Sequence, residues 1–281
     1  MSNFDFDPAL SVPFRDKEVL DRVRNIKRED FDKHPNPDFK IIILPDEATM
    51  AWQYMMDFFY TIKEGADNDR DTVLIMGQPD PSYKLLAWTI NKFRVNCKRL
   101  HTFNMDEYAD QDGNTAPEDW PQGFLYSALN NFWLQIDEEL RPSRNQIHGP
   151  QTENINHYGK MIEDLGNADL CQSGPGWTGH LAFVEPGIPG SEFEGTLDEF
   201  KEMGPRIVTL NPYTIAQNSL HASFGYAGDL AAVPPKAATI GPAEVIKAKK
   251  RNDWNGIRVA GSDCSWEKFA TRLIAHGPGS P

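Results

Sequence analysis

An α/β domain with a mostly parallel sheet, flanked by helices on both faces, is the fold class that the sequence predicts. Three observations lead there. Short apolar runs rich in β-branched residues alternate with longer segments of helical periodicity over most of the chain. Strands separated by helices favour parallel β–α–β units with right-handed crossovers. The length, 281 residues, suits one large α/β domain or two small ones and is ample for a core.

Taken in order, residues 1–37 are charged and punctuated by proline, ending "DFDKHPNP". They read as an extension laid over the surface, with one short helix around Lys17–Lys27. Residues 38–281 read as a single domain. "FKIIIL" (39–44) is an expected buried strand. "DEATMAWQYMMDFFYTIKEG" (46–65) has an acidic start, helical periodicity and a terminal glycine, and is an expected helix. "TVLIMG" (72–77) is a strand and "SYKLLAWTINKFR" (82–94) a helix. "RLHTFNMDEY" (99–108) begins as a strand. "GFLYSALNNFWLQ" (123–135) and "NINHYGKMIEDLG" (154–166) are helices, and "ADLCQSG" (168–174) is a strand. "RIVTL" (206–210), "KAATI" (236–240) and "GIRVAG" (256–261) are further expected strands. "PAEVIKAKK" (242–250) and "SWEKFATRLIA" (265–275) complete the helices. The arrangement is Rossmann-like, with neither an internal repeat nor a low-complexity segment.

Composition narrows the function. Hydrophobic residues make up 40% and charged residues 25%, ordinary globular values. No apolar run is long enough to span a bilayer. The acidic N-terminal residues do not resemble a secretory signal, so a soluble, cytoplasmic protein is expected. The formal net charge of −13 argues against non-specific nucleic-acid binding, which needs a basic surface. The one basic cluster, "KAKKR" (247–251), reads as the solvated end of a helix. Cys97, Cys171 and Cys264 are odd in number and widely spaced, which argues against a disulfide framework or a structural zinc site. The expected partner is a small molecule, with no nucleic acid and no membrane; self-association into a homo-oligomer is left open.

In open α/β sheets ligands bind beyond the carboxyl ends of the strands. Three loops lie there: "GQPDPS" (77–82), "NMDEY" (104–108) and "GPGWTGH" (174–180). Adjacent residues on an extended chain point opposite ways. One of Asp106 and Glu107 can therefore face a cleft while the other pairs or meets solvent. The apolar approach through Phe103 and Met105 favours a partly desolvated carboxylate, the kind a general base requires, although a lone loop carboxylate is ordinarily just solvated. In the third loop Gly174, Gly176 and Gly179 permit close ligand approach. Glu185 follows His180 across a short apolar run, so the two can act as a paired acid/base. "GQPDPS" could present helix N-terminal N–H groups to an anion, yet proline supplies none; a plain strand–helix turn is the simpler reading.

Together, "TFNMDEY" (102–108) and "GHLAFVEP" (179–186) resemble the two signature stretches of glucosamine-6-phosphate deaminases. That family shares a superfamily with 6-phosphogluconolactonases and ribose-5-phosphate isomerases. The resemblance runs from about residue 40 to about residue 275. It implies an isomerase and hydrolase type of amino-sugar chemistry, from glucosamine 6-phosphate to fructose 6-phosphate plus ammonia, without metal or organic cofactor. It also implies roles: Asp106 as the proton shuttle at the sugar C1–C2 positions, His180 in opening the ring, and Glu185 in support of His180. Gly77, Gln78, Asp80, Ser82, Gly176, Thr178 and Gly179 are the expected substrate-binding residues.

Several positions depart from the family pattern. Trp177-Thr178 stands where the family has Asn-Asp, so Thr178 replaces a carboxylate. Asp80 puts a negative charge into the sugar-phosphate loop. Leu220 stands where the family has Arg, and the family's phosphate-binding Lys has no clear match; Lys268 is the nearest candidate. An altered phosphate site is expected, since a phosphate deprived of one charge-assisted hydrogen bond is bound more weakly by roughly 1.5–3 kcal/mol. Three readings follow: a sugar-phosphate deaminase or isomerase with a remodelled phosphate site, an enzyme acting on an unphosphorylated sugar, or a non-catalytic carbohydrate-binding homologue.

Overall fold

The computed structural model describes residues 6–77, 80–185, 193, 195–256 and 265–277. Helix α1 (Lys17–Arg24) begins at Asp16, whose carboxylate accepts the N–H of Val19. Helix α2 (Glu47–Asp67) is capped the same way by Asp46 on Thr49. Strand β1 (Thr72–Met76), helix α3 (Tyr83–Phe93) and strand β2 (Leu100–Asn104) form the first β–α–β unit. The chain continues through β3 (Asp106–Ala109), α4 (Phe124–Asn131), β4 (Ile147–His148), α5 (Tyr158–Asp164) and β5 (Leu170–Ser173). It ends with α6 (Leu197–Lys201), β6 (Arg206–Thr209), α7 (Pro212–Ser219), β7 (Lys236–Thr239), α8 (Pro242–Lys247), β8 (Arg251–Asp253) and α9 (Glu267–His276).

Five strands form a parallel sheet in the order β4-β2-β1-β5-β8. Alternation along β1 sends Leu74 and Met76 to one face, against α2 and α3 (Met55, Phe58, Leu86, Ile90). It sends Val73 and Ile75 to the other, against α5 and α8 (Tyr158, Ile162, Val245). Both faces are therefore dry, as parallel sheets require.

The remaining strands differ from the sequence expectation. β6 and β7, expected in the parallel sheet, form a separate antiparallel sheet with β3, in the order β3-β7-β6. Met105 links the two sheets: its N–H donates to Met76 O at 2.9 Å, and its carbonyl accepts from Ile240 N–H at 2.9 Å. Asp106 is thus the first residue of a strand in the second sheet, opposite Thr239.

Three local expectations also need correction. Residues 40–44 form no strand; Ile42 is 78% exposed, because no neighbouring strand pairs with that run. The basic cluster at 247–251 is not wholly a solvated helix end, since α8 stops at Lys247 and Arg251 opens β8 beside Cys171. The helix expected over 123–135 stops at Asn131 and continues as a 3-10 turn at Trp133–Gln135. Residues 257–261 of the strand expected at 256–261 lie outside the described residues, as do Gln78 and Cys264. Cys97 and Cys171 are buried free thiols.

The N-terminal segment lies on α9. Arg22 donates to the carbonyls of His276 and Gly277, and Arg272 donates back to Val23 O at 3.0 Å and Ile26 O at 2.9 Å. Among the described residues no helix is long and apolar enough to cross a membrane.

Candidate active site

Asp106, His180 and Glu185 meet where the two sheets join. Asp106 is 6% exposed, and its Oδ1 is buried without a hydrogen-bond partner. Burial pushes its carboxyl up to about 7; the neighbouring Thr239 hydroxyl, the His180 ring and the Phe183 N–H oppose that rise. A buried carboxyl with an open oxygen and a pKa near neutrality can take up and return a proton.

The loop after β5 builds the other half. Gly179 has φ +86, and its N–H donates to Gly176 O at 2.9 Å. That turn brings His180 back over Gly176, whose N–H donates to His180 O at 2.9 Å. His180 Nδ1 lies 2.5 Å from Glu185 Oε1. Thr178 Oγ1 is 2.9 Å from His180 Nδ1 and donates to the same Glu185 oxygen at 3.1 Å. The Thr214 hydroxyl donates to that oxygen too. With Nδ1 committed to Glu185, Nε2 is the nitrogen left to meet a ligand. It faces Gly176, where an added Cβ would collide with His180 Nε2 and Cε1. Glycine at 176 is therefore a space requirement for the imidazole.

Glu107 points away from the cleft. Its carboxylate accepts N–H bonds from Tyr108 at 2.9 Å, Phe124 at 3.0 Å and Leu125 at 2.7 Å. Phe124 and Leu125 are the first residues of α4, and that helix starts at Gly123, which has no capping side chain. Glu107 supplies the missing cap. Burial raises its carboxyl to about 7, and the three N–H groups work against that rise. Glu107→Gln would keep one acceptor but turn an NH₂ toward N–H donors. A stability loss of about 1–3 kcal/mol is expected, with kcat close to wild type, checked by denaturant melts beside steady-state rates.

The other expected contacts fare unevenly. Gly77 sits at the carboxyl end of β1, its N–H donating to Gln172 O at 3.0 Å. A Cβ there would lie 3.2 Å from Gln172 O, so this glycine serves close strand packing. Asp80 Oδ1 accepts the N–H of Ser82 at 2.7 Å as well as the Ser82 hydroxyl. The two residues therefore close on each other at the start of α3. The Leu220 side chain lies toward Gly228. Sequence reasoning missed Thr214 and Gln217 of α7 and Thr239 of β7. Gln217 Oε1 accepts the Trp177 N–H at 2.6 Å and so pins the histidine loop; Thr239 Oγ1 accepts the Phe183 N–H at 3.0 Å. The described residues hold no group of three or more His, Cys, Asp or Glu side chains placed to bind a metal ion.

A parallel sheet joined to a small antiparallel one, with a carboxylate at the junction beside a His–Glu pair, defines the class: an α/β protein with a buried acid/base site. Comparison with known proteins narrows it. The chain is 30% identical over 219 residues to a glucosamine-6-phosphate deaminase of Caenorhabditis elegans, covering 74% of this chain and 73% of that one. It is 28% identical over 220 residues to the deaminase of Phocaeicola vulgatus, covering 75% of each. The structure of a monomeric glucosamine-6-phosphate deaminase superposes with a TM-score of 0.63 at 20% identity, over 84% of this chain and 93% of that one. A 6-phosphogluconolactonase from Thermotoga maritima follows at 0.51 and 13% identity, over 75% and 81%. No protein-family model matches the chain. The protein belongs to the glucosamine-6-phosphate deaminase family.

Proposed function

We propose that the protein is an enzyme of the glucosamine-6-phosphate deaminase type, converting a 2-amino aldose into the 2-ketose with release of ammonia. The observation that carries this reading is Asp106: a buried carboxyl with an unpartnered oxygen and a pKa of about 7, beside His180. Asp106 takes the proton from C2 of the open-chain sugar and returns it to C1. The nitrogen at C2 is then an imine, water adds to that carbon, and ammonia leaves. The net reaction consumes one water and is a hydrolytic deamination. His180, oriented by Glu185, handles the proton at the ring oxygen during opening. Thr178 and Thr214 hold the Glu185 oxygen in place from two sides.

The test is a panel of amino sugars, free and phosphorylated, followed by NMR in D₂O with an ammonia assay. Ketose carrying deuterium at C1, with matching ammonia, is expected from at least one of them. Binding with no turnover of any amino sugar would abandon the enzyme reading for that of a carbohydrate-binding homologue.

A further inference from the structure

Next to the histidine loop lies a group of aromatic residues that the proton chemistry does not use. The Trp177 and Trp266 rings stand 6.5 Å apart, inclined at 30°. His221 lies 5.7 Å from Trp266, and Tyr213 is 6.2 Å from Trp177. Trp177 is three residues from His180, and its backbone is held by Gln217. Two polar atoms at this wall are buried without partners: Asn218 Nδ2, on a residue 1% exposed, and His221 Nδ1. The two residues are joined through the backbone, His221 N–H to Asn218 O at 2.9 Å.

We propose that the aromatic wall of Trp177, Trp266 and His221, with Asn218 behind it, is a subsite for the uncharged, hydroxyl-bearing end of the sugar, so that the substrate is an amino sugar carrying no phosphate there. This rests on the reading of the site as a sugar enzyme. Indole faces suit the C–H face of a sugar ring, while one amide N–H and one imidazole nitrogen suit hydroxyl groups. None of these four residues brings a positive charge: burial, with the neighbouring His180, holds the His221 imidazole down at about 4. A phosphate dianion desolvated against them would lack charge-assisted donors. The α3 N-terminus, at the carboxyl end of β1, offers little in their place. Asp80 already occupies the Ser82 N–H and would repel an anion. Asp106 and Glu185 add further acidic groups on the catalytic side.

The experiment is calorimetry on the wild-type protein with glucosamine and glucosamine 6-phosphate at low and moderate salt, beside turnover of both. Glucosamine is expected to bind at least roughly tenfold more tightly than the ester. Trp266→Ala should weaken glucosamine binding about tenfold. His221→Arg should shift the preference toward the phosphate ester by a similar factor. Folding of both variants is checked by thermal melts. Preferential, salt-sensitive binding of the ester by wild type overturns the proposal, as does failure to bind glucosamine at all. If Trp266→Ala does not fold, the wild-type preference and the His221→Arg shift still decide it. Glucosamine binding without turnover of either sugar leaves the subsite standing and refutes the deaminase reading. Turnover of the ester alone refutes the subsite and leaves the deaminase reading standing.

Discussion

Asp106→Asn is expected to lower kcat by roughly 100-fold or more and, above neutral pH, to make the protein more stable. Both effects come from burial. The Asp106 carboxyl is raised from its ordinary 3.8 to about 7, desolvation being the main cause. An unfolded chain ionises this group near pH 4. Between pH 4 and pH 7 the folded state therefore holds a proton that the unfolded state has lost. Stability falls as pH rises through that window and stays low above it. Asparagine fits the same space and carries no charge at any pH, so the variant should lose the Asp106 share of that slope, while Glu107 and Glu267, also raised to about 7 by burial, keep theirs. A gain on the order of 2–4 kcal/mol at pH 8 follows, vanishing at pH 4 and below. The wild-type kcat/KM should meanwhile decline as pH drops below about 7, because the base becomes protonated. Denaturant melts at pH 4 and pH 8 beside steady-state rates test both halves. A variant that keeps its activity, or is less stable than wild type at pH 8 but not at pH 4, would dismiss Asp106 as a desolvated base.

The parallel sheet was legible because each strand and helix announces itself locally. "TVLIM" is apolar at every position and becomes a strand buried on both faces. The Asp46-x-x-Thr49 start caps α2 as acidic N-cap residues do. What stayed hidden depends on partners distant in the chain. "RLHTFNMDEY" begins as a strand and is expected to end in a loop at "NMDEY", yet Met105 leads from one sheet straight into a strand of another, since its hydrogen bonds go to Met76 and Ile240. Nothing in "RIVTL" or "KAATI" says whether a neighbouring strand runs parallel or antiparallel. "FKIIIL" has strand composition but no edge to join, so its Ile42 ends exposed. At the site, the opposed directions of Asp106 and Glu107 follow from strand geometry alone. That Glu107 would cap α4 does not, although a helix starting at the bare Gly123 is a signal that another group must meet its N–H donors. Thr214 and Gln217 come from α7, far along the chain, and no motif links them to the His180 loop. The same dependence on distant partners decides what small changes do within that loop.

Gly176→Ala is expected to cost activity by roughly 100-fold or more, through the placement of His180 rather than through removal of a reacting group. The new Cβ would overlap Nε2 and Cε1 of the imidazole and lie 2.7 Å from Gln217 Oε1. Gln217 is only 6% exposed and is tied to the Trp177 N–H. On its far side the imidazole has the Phe183 ring, 5.4 Å away edge-on. The ring must therefore swing, and its 2.5 Å contact with Glu185 Oε1 is the part that gives. Overpacking of this kind costs about 1–3 kcal/mol in stability, which leaves the protein folded and measurable. Gly179→Ala is the control. Its φ of +86 strains any side chain, but an added Cβ there has nothing within 4 Å. It should therefore cost stability of order 1–3 kcal/mol while sparing the imidazole, so its loss in kcat should be much the smaller. If His180 works only through the position that Gly176 allows, Gly176→Ala should also flatten whatever pH dependence His180→Gln flattens. Equal losses in the two glycine variants would instead assign the effect to general disorder of the loop.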